Sequence, residues 1–206
     1  QYHIPLVYAS SAATYGLGEL GYDDNEASIS QLKPLNPYGD SKNDFDIWAL
    51  AQPEKPFFFA GLKFFNVYGP NEYHKDRMAS VIMHAYKQIS NTGKMKLFRS
   101  HNPNFKDGEQ MRDFVYVKDV VSANIYAMIN YGENSGDYYE VGSGESRPFE
   151  DVLNILNIDY TYHTEDVIPV GYQFNTRSNP RSWMFGWGPE YNLEKGLEDY
   201  LGYLNQ

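Results

Sequence analysis

Cysteine is absent from this chain, so neither a disulfide framework nor a thiolate metal site is open to it. The five His residues are scattered, and none stands beside carboxylates at ligand spacing, so no metal site is expected. No run of 18 apolar residues occurs, so nothing is expected to span a membrane. The first residues, Gln1-Tyr2-His3-Ile4-Pro5, lack the layout of a signal peptide. Positive charge is scarce: 17 Lys and Arg stand against 27 Asp and Glu, a net charge of −10. That balance argues against nonspecific nucleic-acid binding. It leaves room for an anionic small ligand held by a local Arg, Lys or His cluster. Internal repeats and low-complexity segments are also missing. A soluble, cytoplasmic protein is the resulting expectation. The chain has no start Met and opens almost directly on an apolar strand. It is therefore expected to be the later part of a longer protein, with its first part missing.

What is present is a chain of 206 residues with 42% apolar side chains, enough for a packed core. Its most informative stretch is Tyr38-Gly39-Asp40-Ser41-Lys42. A Tyr and a Lys four apart on a helix share one face. An ammonium beside a phenol stabilises the phenolate, which fits Tyr for proton transfer near neutral pH. Alone the pair is common and weak evidence; Tyr38 could pack and Lys42 could simply be solvated. Its context adds weight. Asn36 suits a helix cap, Pro37 suits the first helical position, and a helix is expected over 37–51.

Around that helix, Ile4 to Ala9 reads as a strand, and residues 17–36 as a loop. Tyr38, Lys42, Phe45 and Ala49 form one stripe of the helix. Phe57 to Val67 is a near-continuous apolar run, which suits a strand buried on both faces of a parallel sheet. The order strand, helix, strand predicts a βαβ crossover. Further helices are expected at Met78–Ile89, Val120–Tyr131, Phe149–Leu156 and Leu193–Leu204. Further strands are expected at Lys96–Phe98, Asp113–Val117 and Tyr138–Val141, and Arg99 to Met111 reads as a loop. The rest of the last 40 residues shows no clear pattern. Gly16-Leu17-Gly18-Glu19-Leu20-Gly21 matches a dinucleotide fingerprint, but Tyr22-Asp23-Asp24-Asn25-Glu26 follow where a helix should open. Those carboxylates would repel phosphate. Gly142-Ser143-Gly144 reads as a sharp turn.

In an open α/β sheet, ligands bind at the carboxyl ends of the strands. The ends here carry Ser10, Ser11 and Thr14, then Asn66, then the segment around His74-Lys75. A hydroxyl from Ser11 or Thr14 can bond a reacting oxygen, Tyr38 can exchange its proton, and Lys42 can hold a ribose diol. That is a layout for hydride transfer with a nicotinamide cofactor. Lys75 has two readings, a surface Lys or a second acid/base. His84 is either a structural His or a ligand contact. Arg99 and Arg112 flank a polar loop and are candidates for a diphosphate, which suits bidentate donors. Asp119 reads as a helix-start residue.

Five segments carry a family resemblance: Tyr8 to Gly16, Pro37 to Lys42, Phe64 to Lys75, Met78-Ala79-Ser80, and Arg112 to Val117. Together they resemble the extended short-chain dehydrogenases/reductases, the NAD-dependent epimerase/dehydratase family acting on nucleotide sugars. Ala12-Ala13-Thr14 and His74-Lys75 with Met78-Ala79-Ser80 point to the branch that epimerises an ADP-heptose at C6. The resemblance implies a Rossmann-like parallel sheet with a smaller α/β substrate lobe. The remainder of a dinucleotide-binding domain would occupy 1–70 and 113–142, and the substrate lobe mainly 71–112 and 143–206. It implies Tyr38 and Lys75 as the two acid/bases, with Ser11 and Lys42 assisting. Lys42, Val67, Lys75 and Tyr38 would touch NADP, with NAD also open. Asn66, His84, Phe98, Arg99, Ser100, His101, Arg112 and Tyr172 would line the nucleotide-sugar site. It further implies a cytoplasmic homo-oligomer serving lipopolysaccharide inner-core synthesis, with no nucleic-acid or membrane partner. Arg77 stands where the family often has a smaller residue, and the stretch between Phe149 and Tyr172 is short. The Gly-rich phosphate loop is not in this sequence. Two other readings remain: a 4-epimerase or dehydratase of the same superfamily, and a non-catalytic nucleotide-sugar-binding relative.

Overall fold

The structure is a computed structural model that describes residues 4–22, 25–130, 132, 138–164, 168 and 171–206. Residues 1–3 of the expected terminal layout, and Asp23 and Asp24 of the fingerprint argument, lie outside the described residues.

Strand β1 (Leu6–Ser11) runs into a 3-10 turn, Ala12–Tyr15. A short helix α1 (Glu26–Ile29) precedes the helix α2 (Pro37–Ala51). The start of α2 is set by its own residues. Asn36 takes the Gly39 N–H on its side chain at 2.9 Å, and Pro37 fills the first helical position. Strand β2 (Phe59–Phe64) then pairs in parallel with β1, Leu6 opposite Phe59 and Ser11 opposite Phe64. Strand β6 (Tyr138–Val141) adds to the other side of β2, also in parallel, giving the order β1-β2-β6. The expected crossover is therefore present, with β1 beginning two residues later than read from the sequence.

Successive side chains of β2 serve opposite faces, as a strand demands. Phe59 packs with Ile29 and Tyr138 on the α2 side, and Lys63 reaches Asp46 of α2. Ala60 and Leu62 join the other cluster, with Ala123 and Ala127 of the helix α4 (Val117–Ile129). Both faces are covered, which is why the run reads as continuously apolar. The run is not one strand, however. After Phe64 the Phe65 N–H still reaches Val141 O at 3.1 Å, but Val67 N–H turns back onto Phe65 O at 3.0 Å. The chain thereby leaves the sheet, and β3 (Asn66–Tyr68) pairs instead with β5 (Met111–Tyr116).

Helix α3 (Val81–Thr92) starts three residues later than expected, because the Ser80 hydroxyl caps it through Met83 N–H. Met78 is left outside, 74% exposed. Strand β4 (Met95–Leu97) pairs in parallel with β8 (Tyr160–Tyr162), which carried no sequence signal. Strand β7 (Ser146–Pro148), antiparallel to β5, likewise went unread. Helices α5 (Phe149–Ile155) and α6 (Leu193–Leu204) fall where expected. They pack with α3, β3 and β5 through Ile82, Met83, Tyr68, Val152, Leu197 and Tyr200. Phe45 of the expected α2 stripe is exposed, since the stripe buries Ala49 and Asp46 instead.

Candidate active site

The carboxyl ends of β1 and β2 and the start of β3 open onto a cleft of about 800 Å³. Pleating sends Ser10 and Ser11 to different sides. The Ser10 hydroxyl donates to Asp46 Oδ2 at 2.7 Å. The buried Thr14 hydroxyl donates to Ser11 O at 2.8 Å and accepts from Lys63 Nζ at 2.8 Å. Both protons are therefore committed to the scaffold, which removes Thr14 as the alternative partner of a reacting oxygen. Ser11 differs: its Oγ accepts the Ala13 N–H at 3.1 Å and keeps its own proton to donate. Ser11 lines the cleft.

Tyr38 is the second residue of α2 and stays 53% exposed on the cleft wall. Gly39 lets this first turn approach the 3-10 turn closely; a Cβ there would sit 2.8 Å from Ala13 O. Lys42 follows one helical turn on, with Nζ 5.8 Å from the Tyr38 ring centre. Its ammonium donates to Ala9 O at 2.9 Å, which fixes its direction and leaves two further N–H donors. That donor set fits the ribose of a nicotinamide nucleotide. Asn66 and Val67 at the start of β3 also line the cleft, and Asn66 Oδ1 accepts the Thr176 hydroxyl at 3.1 Å.

Lys75 and Arg77 come from an exposed loop at the cleft rim, and half-buried His84 from α3 below it. A His84 ring nitrogen lies 3.2 Å from Arg77 O. Arg112 enters from β5, only 6% exposed. Its guanidinium stacks 4.5 Å from the centre of the Tyr172 ring and 5.5 Å from that of Phe149. Burial pulls the Arg112 pKa below its ordinary value, with the facing Tyr172 acting in the opposite sense. Burial raises the Tyr172 phenol, against the pull of Arg112. Among the described residues the Tyr172 hydroxyl is buried with no partner, so a polar ligand group beside Arg112 would satisfy it.

Of the segment Phe98 to His101, only Phe98 lines the cleft. Arg99 is exposed and donates through Nε to His163 O at 2.6 Å. Ser100 donates its hydroxyl to Asn102 O at 3.0 Å, and the His101 ring stacks against Phe174 at 5.2 Å. These three are held by those local partners and do not line the cleft in this structure. Gln173, next to Tyr172, went unread as a site residue. Its amide donates to Ala12 O at 3.2 Å and Gly16 O at 2.7 Å, tying the 3-10 turn to the Tyr172 segment. No sequence pattern marks a contact over that separation.

Gly16 has φ +60°, and a Cβ there would meet Lys33 O at 1.9 Å; its glycine serves a packed turn. The Ser143 and Gly144 N–H groups both donate to the Asp113 carboxylate, at 2.6 and 3.0 Å. Asp119, in the first turn of α4, accepts the N–H groups of Glu190 and Tyr191 and is structural. Among the described residues no group of His, Asp or Glu could hold a metal ion, and no helix is long and apolar enough to cross a membrane.

The family model for NAD dependent epimerases/dehydratases matches residues 1–142. Over 97% of its length the chain is 42% identical to an ADP-L-glycero-D-manno-heptose-6-epimerase of Fusobacterium nucleatum, of which it covers 64%. A relative of the same name from Nitratidesulfovibrio vulgaris is 52% identical over 73% of the chain and 46% of that relative. The crystal structure of Helicobacter pylori ADP-L-glycero-D-manno-heptose-6-epimerase superposes with a TM-score of 0.78 at 31% identity. That match covers 98% of this chain and 60% of the other. The chain thus spans less than two thirds of the length of each of these relatives.

Proposed function

The chain belongs to the NAD dependent epimerase/dehydratase family, and we propose that it supplies the catalytic and sugar-nucleotide-binding groups of an ADP-heptose 6-epimerase. The observation that carries this reading is the convergence of Ser11, Tyr38, Lys42, Lys75 and Arg112 on one cleft. The names of its relatives supply the substrate. The cofactor we propose is NADP, with NAD as the alternative, and the product would serve lipopolysaccharide inner-core synthesis. A cytoplasmic homo-oligomer is part of the same reading. So is a substrate lobe formed mainly by residues 71–112 and 143–206.

When bound, the nicotinamide supplies reversible hydride exchange at C6, so the carbon is inverted without net oxidation. Lys42 and Tyr38 would hold its ribose end, with Val67 and Lys75 in contact. Tyr38 takes the proton from the C6 hydroxyl oxygen in one substrate orientation. Lys42, fixed by Ala9 O, stabilises the phenolate while the proton is away. Ser11 donates its free hydroxyl proton to the reacting oxygen. Lys75, reaching in from the rim loop, performs the proton exchange in the other orientation. Arg112 holds the diphosphate with the guanidinium edge that its stack on Tyr172 leaves free.

The test uses the natural full-length protein and its substrate in deuterated water. Product without solvent deuterium at C6 is expected; deuterium at C6 would reveal proton abstraction from carbon and overturn the mechanism. Tyr38→Phe and Lys75→Met should each lower turnover by roughly two to four orders of magnitude while substrate still binds.

A further inference from the structure

The rim loop that carries Lys75 is a 3-10 segment, Tyr73–Met78, broken at Asp76. Tyr73 to Met78 are all exposed, and the backbone passes through φ +69° at Asn71 and +46° at Asp76. Non-glycine residues reach such angles at a cost, so the loop needs a constraint to stay in this shape. Its two ends meet at one buried side chain. Glu72, 3% exposed, accepts the Ser80 N–H on Oε2 at 2.6 Å. On Oε1 it accepts the hydroxyls of Ser80 at 2.7 Å and Tyr200 at 2.8 Å. Ser80 closes the loop and caps α3. Tyr200 is fully buried in the middle of α6. A carboxylate this deeply buried must keep its donors, so it ties both ends of the loop to α6.

We propose that Glu72 is a positioning residue for Lys75: it staples the base of the loop 73–79 to Tyr200 and so sets where the Lys75 ammonium stands at the cleft. The proposal rests on the reading of Lys75 as an acid/base above. Lys75 serves one substrate orientation and Tyr38 the other. Loosening the staple therefore slows the oxidation that starts from one C6 epimer and spares the one that starts from the other. A Glu72 that only stabilised the fold would slow both alike.

The experiment compares Glu72→Ala, Glu72→Gln and Tyr200→Phe with the parent in the natural full-length protein. Amide hydrogen exchange of 73–80 is read without cofactor. Single-turnover oxidation is then read with each epimer separately on the NADP-loaded enzyme. In Glu72→Ala, exchange over 73–79 should rise roughly tenfold while α2 is unchanged. Oxidation of one epimer should fall roughly 10- to 100-fold, the scale for a group displaced by about an ångström, with KM nearly constant. Glu72→Gln keeps the shape and should recover most of the loss. Tyr200→Phe, which keeps the buried ring, should show the same asymmetry more weakly, and it decides the matter if Glu72→Ala does not fold. Equal slowing of both epimers, or unchanged exchange over 73–79, would overturn the proposal. If the parent oxidises neither epimer, the proposed function fails. The exchange data then decide alone, a rise in Glu72→Ala supporting the staple and no change refuting it.

Discussion

Arg112 is the side chain in the cleft whose burial most needs a ligand to explain it. A guanidinium is seldom 6% exposed without a counter-charge, and stacking between Tyr172 and Phe149 satisfies its faces but not its edge. Among the described residues only one donor, Nη1, is spent, on Met111 O at 2.8 Å. Arg112→Ala should therefore weaken nucleotide-sugar binding by about 1.5 to 3 kcal/mol, the scale for hydrogen bonds to charged groups. Arg112→Lys should recover little, because an ammonium neither stacks flat nor offers a fork. Titration of the ligand by calorimetry reads both; a dissociation constant that barely moves in Arg112→Ala would remove Arg112 from the diphosphate site. Arg112 was legible in the sequence because it leads directly into a strand, whose register fixes it. Arg99 was not, because what holds it is the carbonyl of His163, 64 residues away.

Elements whose limits are written in their own residues were read to the residue. Helix α2 is one: Asn36 and Pro37 set its start, and the structure places it at Pro37–Ala51. Asn36→Ala should cost about 1 kcal/mol of stability, the usual cost of losing such a cap, seen as a lower urea midpoint with an unchanged slope. Helix α6 and strand β6 were equally legible. The apolar run at 57–67 was not, because its break depends on partners: Val141 for Phe65, and β5 for Asn66 to Tyr68. Short strands β7 and β8 exist only through β5 and β4. Helix α6 also carries an electrostatic prediction. Asp199 accepts Lys118 Nζ at 2.7 Å and the Tyr116 hydroxyl, and these two, Lys118 first, hold its carboxyl below the ordinary value. A depressed acid contributes stability above its unfolded pKa of about 4 and loses it as pH falls through the folded value. Stability should thus decline in the acid range below about pH 4, and Asp199→Asn should flatten that decline. Midpoints measured across this range check the sign; a steeper decline in the variant would refute it.

At the scale of the molecule, the cleft wall that carries Tyr38 and Lys42 is referenced to the sheet through a buried polar knot. Tyr38, Lys42 and Asp46 recur every four residues on α2, so one face of the helix carries both the cleft groups and the knot. Asp46 and Lys63 are each fully buried and 2.8 Å apart. Asp46 also accepts the hydroxyls of Tyr8 at 3.0 Å and Ser10 at 2.7 Å, and its carbonyl accepts the Tyr138 hydroxyl at 2.8 Å. Lys63 in turn holds Thr14, whose hydroxyl fixes Ser11 O. Strands β1, β2 and β6, helix α2 and the Ser11 turn therefore meet at one ion pair. Removing the Lys63 ammonium takes from the buried Asp46 carboxylate the cation 2.8 Å away, and breaking such a pair costs about 3 to 5 kcal/mol. Lys63→Met should show that loss, and Asp46→Asn should destabilise as well. In the double variant no Asp46 charge is left to miss its cation, so its loss should be smaller than the sum of the singles by at least about 1 kcal/mol. Denaturant unfolding of the four proteins closes the cycle. Additive losses would show that the two charges act independently and that the cleft face of α2 takes its register from elsewhere.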